Sequence, residues 1–166
     1  MTALQYDDMV MKHADALFRF AFSMLGDKMD AEDVVQGVFE RLWAKHQQVE
    51  IVSTKTYLFT SVHRACIDVF RKRRSTKKVL DTLSLDQRQF VPDQLEKRQL
   101  AEHILQYLDE GQRALVLLRD YEGYSYKEIG EIAGLTLAQV KIKLFRARQK
   151  IQDVLHLDGQ CTNQIN

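Results

Sequence analysis

A single proline, Pro92, and seven glycines are spread over 166 residues. Sandwiches and barrels need many tight turns, which depend on these two residue types, so an all-β fold is nearly excluded. Apolar residues instead recur at helical spacing, and no segment shows the strict alternation of a half-buried strand. A chain of this length forms one domain or two small ones. We therefore predict an all-α fold of two small helical domains joined by a flexible linker.

The first predicted domain covers residues 1–75 and contains three helices. The first helix ends near Gly26, and the second runs from Asp30, a candidate N-cap, through Trp43. The third runs from about Thr54 to Arg74 and ends in four consecutive basic residues, where cations suit the helix dipole. Each helix carries apolar residues on one face, as expected for a three-helix core.

The second predicted domain covers residues 94–166, after a linker at 76–93 that contains Pro92. Two capping boxes follow each other closely in this domain. Ser125 with Glu128 opens a short helix, and Thr136 with Gln139 opens a longer one after the turn Ala133, Gly134, Leu135. This spacing predicts a helix-turn-helix.

The second helix of this motif has two distinct sides when its residues are placed at steps of about 100°. One side is apolar and consists of Leu137, Val140, Leu144, Ala147, Ile151 and Val154. The other side holds no acid and consists of Gln139, Ile142, Lys143, Arg146 and Lys150. We predict that it is a recognition helix in the DNA major groove, where basic side chains attract phosphates and N-terminal residues meet base edges. An ordinary surface helix is the alternative.

Charge is segregated along the chain although the net charge is only +1. Residues 51–80 hold eight Lys or Arg against one acid, Asp68, and residues 137–150 hold five and no acid. The remaining segments are acidic overall. Two basic blocks that each lie on an amphipathic helix indicate a polyanion bound at two places.

Several classes of function are excluded by what the sequence lacks. No apolar run approaches the roughly 18 residues that span a bilayer, and the N-terminus has no signal-peptide pattern, so we expect no membrane insertion and a cytoplasmic location. Cys66 and Cys161 stand far apart without a CxxC, which predicts no metal site and no cofactor. The histidines are scattered and there is no GxxxxGK loop, so we expect no enzyme activity.

Three segments resemble bacterial extracytoplasmic-function (ECF) sigma factors. They are DAEDVVQGVFERLW at 30–43, TYLFTSVHRACIDVFRKRR at 56–74 and YEGYSYKEIGEIAGLTLAQVKIKLFRARQKI at 121–151. The resemblance spans almost the whole chain. It implies a region 2-like domain and a region 4-like domain that bind core RNA polymerase, direct it to specific promoters and help to open the DNA for transcription initiation. It leaves open whether an anti-sigma factor is a further partner.

The resemblance implies that the second helix contacts core polymerase through Asp33, Gln36, Phe39 and Trp43. Asp33 and Gln36 project away from the apolar face of this helix, as an exposed role requires. Phe39 and Trp43 lie near its border and could equally belong to the core.

The third helix and the loop before it, 46–53, resemble the part of these proteins that captures the minus-ten element as a single strand. Tyr57 and Phe59 could stack on unpaired bases, with Arg71, Lys72, Arg73 and Arg74 on the backbone. Either ring could instead be core. The resemblance also implies a minus-ten contact at Arg64, which stands where many relatives carry Asn.

For the minus-thirty-five element, the implied contacts are Lys141, Ile142, Lys143, Phe145 and Arg146, to which the helix face adds Gln139. A stand-alone helix-turn-helix regulator of duplex operators is the alternative function. It would explain the second domain but not the first basic helix.

Overall fold

The helical pattern of the sequence becomes seven α-helices in a computed structural model that describes residues 1–48, 54–80 and 96–162. These ranges contain no strand, which confirms the all-α prediction. The helices are α1 (Ala3–Leu25), α2 (Lys28–Ala44), α3 (Thr54–Leu80), α4 (Glu96–Gln106), α5 (Glu110–Val116), α6 (Tyr126–Ala133) and α7 (Leu137–Thr162). A 3₁₀ turn at His46–Gln48 follows α2, and a π-helical segment at Leu117–Tyr121 follows α5.

Helices α1, α2 and α3 form the first domain. Gly26 ends α1 with a φ of 70°, a left-handed conformation that costs glycine little. The N-cap of α2 is Asp27 rather than the predicted Asp30, because the Asp27 carboxylate accepts a 2.8 Å hydrogen bond from the Asp30 backbone N–H. The largest fully buried side chains of this domain are Leu17, Phe20, Met24, Val38, Leu42, Leu58 and Phe59.

The predicted end of the first domain, residue 75, falls inside α3, which continues to Leu80. Consecutive basic residues thus do not stop this helix. Most of the predicted linker, residues 81–93, lies outside the described residues, so the linker stays a prediction.

The second domain contains the predicted helix-turn-helix. The Ser125 capping box opens α6, and hydrogen bonds from Ser125 hold the pKa of Glu128 below its ordinary value. Gly134 ends α6 with a φ of 68°. The Thr136 backbone N–H donates to the Gln139 side chain at 2.9 Å and the Gln139 backbone N–H donates to Thr136 Oγ1 at 3.2 Å, which forms the second predicted box.

The turn between α6 and α7 requires Gly130 on α6. A Cβ at this position would lie 2.7 Å from the backbone oxygen of Leu135, well inside van der Waals contact. The glycine therefore allows the chain to double back closely before α7 begins.

The two domains pack against each other and share one hydrophobic cluster. Helix α3 lies against α6, and α1 lies against α5 and the π-helical segment. Among the helices in the described ranges, none combines the length and the apolar character that a membrane span requires.

Candidate functional site

The exposed face of α7 contains no acidic residue between Leu137 and Lys150. Val140, Leu144 and Ala147 are buried and fix the helix on α5 and α6. Gln139, Lys141, Ile142, Phe145 and Arg146 are exposed, and Lys143 is half-buried. Ile142 is 51% and Phe145 69% exposed, so two apolar side chains stand among the basic ones. Such a surface offers both phosphate attraction and apolar contact.

Two side chains of α7 are partly engaged inside the domain. Arg148 donates to Asp120 at 3.1 Å, which ties α7 to the π-helical segment. The side-chain oxygen of Gln139 accepts the Thr136 N–H, which leaves its amide NH₂ available to donate to a partner.

The four basic residues near the C-terminal part of α3 differ in their surroundings. Arg73 donates to the Leu25 carbonyl oxygen at 2.9 Å and pairs with Asp30, so its guanidinium fastens α3 to the α1–α2 turn. The Arg73 side chain is still 40% exposed, so its contact with the DNA backbone stays a prediction. Arg71 lies 3.5 Å from Asp68, and Lys72 forms no ion pair with another described residue.

Arg74 lies opposite the second domain. Its guanidinium donates to Glu110 on α5 at 2.9 Å, and both side chains remain accessible to solvent. An exposed ion pair of this kind contributes little stability and exchanges readily with other partners.

The two aromatic residues predicted to stack on bases lie in different environments. Phe59 is fully buried, with its ring edge-on to Phe20 at 5.7 Å between ring centroids, so the prediction that it stacks on DNA is wrong for this structure. Tyr57 is half-buried and packs at the edge of the core. Arg64 is exposed. Residues 49–53 of the predicted minus-ten loop lie outside the described residues.

The predicted polymerase contacts on α2 also separate into exposed and buried residues. Asp33 and Gln36 are exposed, and Gln36 donates to Glu40 at 2.9 Å. Phe39 is only 8% exposed and belongs to the core, so its ring is not available to a partner. Trp43 is 45% exposed.

Trp43 is held by two residues that the sequence did not single out. Tyr6 meets its indole edge-on at 4.9 Å, and His46 stacks on it at 4.5 Å with an interplanar angle of 10°. His46 is close in sequence and could have been found from spacing. Tyr6 is far away in sequence and carries no local signal.

The described residues contain no cluster of His, Cys, Asp and Glu that could hold a metal ion. Cys66 is buried on α3, and burial raises the pKa of its thiol to about 12. The thiol is therefore a poor nucleophile and a poor ligand.

Two family models match the chain. Sigma-70 region 2 matches residues 9–76, and Sigma-70, region 4 matches residues 98–151. The matches cover more than half of the chain and agree in order and position with the two helical domains.

Individual relatives extend this similarity over almost the full length. The chain is 31% identical to the ECF RNA polymerase sigma factor SigL of Mycobacterium tuberculosis, over 82% of this chain and 80% of SigL. It is 28% identical to the ECF RNA polymerase sigma factor SigE of Mycolicibacterium smegmatis, over 96% of this chain but 65% of SigE. The chain thus spans just under two thirds of the length of SigE.

A solved structure is similar across both domains. The sigma factor RpoE from Bartonella quintana, determined in complex with the anti-sigma factor NepR, superposes with a TM-score of 0.79 and is 27% identical. The superposition covers 92% of this chain and 98% of RpoE. On the two family matches and these relatives, the chain belongs to the ECF subfamily of the sigma-70 family, the sigma factors that direct RNA polymerase to promoters.

Proposed function

We propose that this sigma factor works through three separate surfaces, one on each of α2, α3 and α7. The polymerase surface consists of Asp33, Gln36 and Trp43 on α2. The strand surface consists of Tyr57, Arg64, Arg71, Lys72 and Arg74 on α3. The recognition surface consists of Gln139, Lys141, Ile142, Lys143, Phe145 and Arg146 on α7.

The polymerase surface is supported by exposure and rigidity. Asp33 and Gln36 are exposed to solvent. The Trp43 ring packs between Tyr6 and His46, and almost half of its surface is exposed. A pre-ordered aromatic residue loses little conformational entropy on binding, which is why such residues often anchor interfaces. The exposed carboxylate of Asp33 favours a basic or polar group on the partner surface.

The strand surface is supported by the combination of a half-buried ring and exposed basic residues on one helix. Tyr57 can present a ring face to an unpaired base, while Arg64 and Lys72 are placed to attract the phosphates of a single strand. Phe59 packs beneath this helix in the core, and Arg73 ties the helix to the end of α1.

The recognition surface is carried by one observation, namely that α7 exposes basic and apolar side chains together beyond the turn of a helix-turn-helix. Basic side chains contribute sequence-independent attraction to phosphates. The N-terminal position of Ile142 and Lys143 in the helix favours contacts with base edges of the minus-thirty-five element.

We further propose that the chain is not an enzyme, acts in the cytoplasm and is controlled by an anti-sigma factor. Binding of DNA and of polymerase accounts for all three surfaces. None of the three surfaces pairs a nucleophile with a base. An anti-sigma partner is suggested by the RpoE relative, which was solved with NepR.

The test of the three-surface assignment is binding by the polymerase complex. Core polymerase is reconstituted with the chain, and the affinity for a promoter fragment is measured at several salt concentrations. Alanine at Lys143 should lower the slope of log affinity against log salt by about 1, whereas alanine at Asp33 should weaken core binding without changing that slope. An unchanged slope would remove Lys143 from the DNA interface.

A further inference from the structure

The centre of the exposed face of α7 is apolar rather than basic. Steps of about 100° per residue place Ala138, Ile142 and Phe145 within about 60° of one another on the helix. All three side chains are exposed, and more than half of Ile142 and of Phe145 is accessible to solvent. We call these three residues the apolar strip. Exposed apolar side chains that lie next to one another indicate a contact with an apolar group of a partner.

Basic side chains border the apolar strip on both sides. The same helical steps place Lys141 at one border and Arg146 at the other, and both residues are exposed. Long cationic side chains at these borders can reach the phosphates on either side of a groove, or the acceptor atoms of guanine. The strip between them then faces the floor of the groove, where the base edges lie. This charge distribution favours duplex DNA as the occupant over an apolar protein surface.

Hydrogen-bond acceptors are scarce on this face. From Leu137 to Arg148, Gln139 is the only residue whose side chain carries an acceptor atom. Its oxygen accepts the Thr136 backbone N–H at 2.9 Å, so the paired donor and acceptor contact that glutamine makes with adenine would break the cap of α7. Cytosine presents an amino donor that needs an acceptor, commonly a carboxylate. The face is therefore poorly suited to identify adenine or cytosine through hydrogen bonds.

Thymine is the base that matches the apolar strip. It presents a methyl group in the major groove, and alanine and phenylalanine are among the side chains that contact this group. A helix rises about 1.5 Å per residue, so Ile142 and Phe145 are about 4.5 Å apart along the axis of α7. Base pairs follow each other at about 3.4 Å. The two large side chains of the strip can therefore reach neighbouring base pairs.

We propose that the apolar strip recognises thymine methyl groups in the minus-thirty-five element, with Ile142 and Phe145 as the residues that determine this specificity. The inference rests on the proposed function of α7 and adds the base that its exposed face selects. Loss of one contacted methyl group should weaken binding about fourfold, as expected for the transfer of one such group from an apolar contact to water.

The experiment compares thymine with uracil, which lacks the methyl group and keeps the same hydrogen-bonding atoms. Core polymerase reconstituted with the full chain first selects fragments from a promoter library that is random in the minus-thirty-five region. The selected fragments should carry thymines at neighbouring positions. Each of these thymines is then replaced by deoxyuridine, and fluorescence anisotropy should show binding about fourfold weaker for each contacted methyl group that is removed.

Variants assign this preference to side chains. Ile142→Ala and Phe145→Ala change exposed residues, and each should reduce the ratio of thymine to uracil affinity. The double variant should bring that ratio to about 1. Lys141→Ala is the matched control on the border of the strip, and it should weaken binding to both fragments equally, because phosphate attraction does not distinguish the bases. Circular dichroism establishes that each variant is folded.

Three results would overturn the inference: selected fragments without neighbouring thymines, equal wild-type affinity for the thymine and uracil fragments, or a wild-type ratio in the double variant. A double variant that keeps this ratio and binds core polymerase more weakly would assign the strip to a protein contact instead. Failure of the proposed function looks different, because the wild-type chain would then form no complex with core polymerase or select no fragments. That result would overturn the function and this inference together.

Discussion

Arg73, on α3, donates a 2.9 Å hydrogen bond to the backbone carbonyl oxygen of Leu25, the last residue of α1. This contact satisfies a carbonyl that the end of a helix leaves unpaired. A residue in the middle of a basic run, where sequence alone indicates DNA binding, therefore holds two helices of the first domain together.

Arg73→Ala should lower the free energy of unfolding by about 1 to 3 kcal/mol, because a charged hydrogen bond is lost. The ion pair with Asp30 is half-exposed, so its loss should add little to this effect. Lys72→Ala is the matched control, and should change stability by less than about 0.5 kcal/mol while weakening promoter binding. Urea unfolding measures both. An Arg73→Ala protein with wild-type stability would contradict the fastening role.

Tyr57 and Phe59 should behave oppositely although they are two residues apart. Phe59→Ala should cost about 3 to 5 kcal/mol of stability, because its ring is fully buried. Tyr57→Ala should leave the fold intact and reduce promoter opening, since stacking contributes about 1 to 3 kcal/mol per base. Permanganate footprinting reports opening, and premelted promoter DNA should restore activity to Tyr57→Ala. Failure of premelted DNA to rescue a stable Tyr57→Ala protein would rule out base stacking.

The Lys143→Ala, Arg146→Ala double variant should lose promoter affinity while core-polymerase binding stays intact. A base-edge contact by Arg146 is worth about 1 to 3 kcal/mol, to which the loss of phosphate attraction adds. Gln149→Ala, an exposed neutral change on the same helix, is the control. Fluorescence anisotropy with the polymerase complex measures affinity. Wild-type promoter affinity in the double variant would remove α7 from DNA recognition.

Two glycine substitutions should change the stability of the fold in opposite directions. Gly130→Ala should destabilise the helix-turn-helix by about 1 to 3 kcal/mol, since the new Cβ would meet a backbone oxygen at 2.7 Å. Gly37→Ala, inside α2, should stabilise by about 1 kcal/mol, because its Cβ would meet only the flexible end of Arg41, at 3.7 Å. Thermal unfolding of the two variants measures both effects. Equal shifts in melting temperature would mean that the close approach of Leu135 does not restrict the side chain at position 130.

Acidification should destabilise the fold through His13 and His63. Burial and then the charge of Arg64 lower the pKa of His63, and burial and then Lys12 and Lys55 lower the pKa of His13. Because the unfolded chain binds these protons more readily, the stability is fully present above about pH 6.5 and is lost as the pH falls toward the lowered values. Urea unfolding at pH 7.5 and 5.5 should show a smaller pH effect in the His13→Gln, His63→Gln variant. An identical pH effect in the wild type and the variant would exclude the two histidines as the cause of the destabilisation.

The local features of the fold could be predicted from the sequence because their signals are short. The two capping boxes, the turn at Gly134 and the apolar side of α7 each depend on residues within a few positions of one another. The end of α3 was missed because basic residues tolerate a helix interior as well as its end. The burial of Phe59 and Phe39 could not be settled, since both positions lie at the border of an amphipathic helix.

Contacts between segments that are distant in the chain could not be predicted from sequence patterns. The roles of Arg73 and Tyr6 depend on partners far away in the chain, which no local pattern identifies. The sequence therefore assigns the candidate residues to particular helices, and the structure separates those residues into exposed and buried ones.

The most direct test of the central claim is transcription by reconstituted polymerase. Purified core polymerase is supplied with genomic DNA from the source organism, with and without the chain, and the 5′ ends of the transcripts are sequenced. A sigma factor should produce a defined set of start sites that appear only with the chain and are lost with the Lys143→Ala, Arg146→Ala variant. No chain-dependent start sites, together with failure of the chain to co-purify with core polymerase and tight binding of duplex DNA as a dimer, would contradict it.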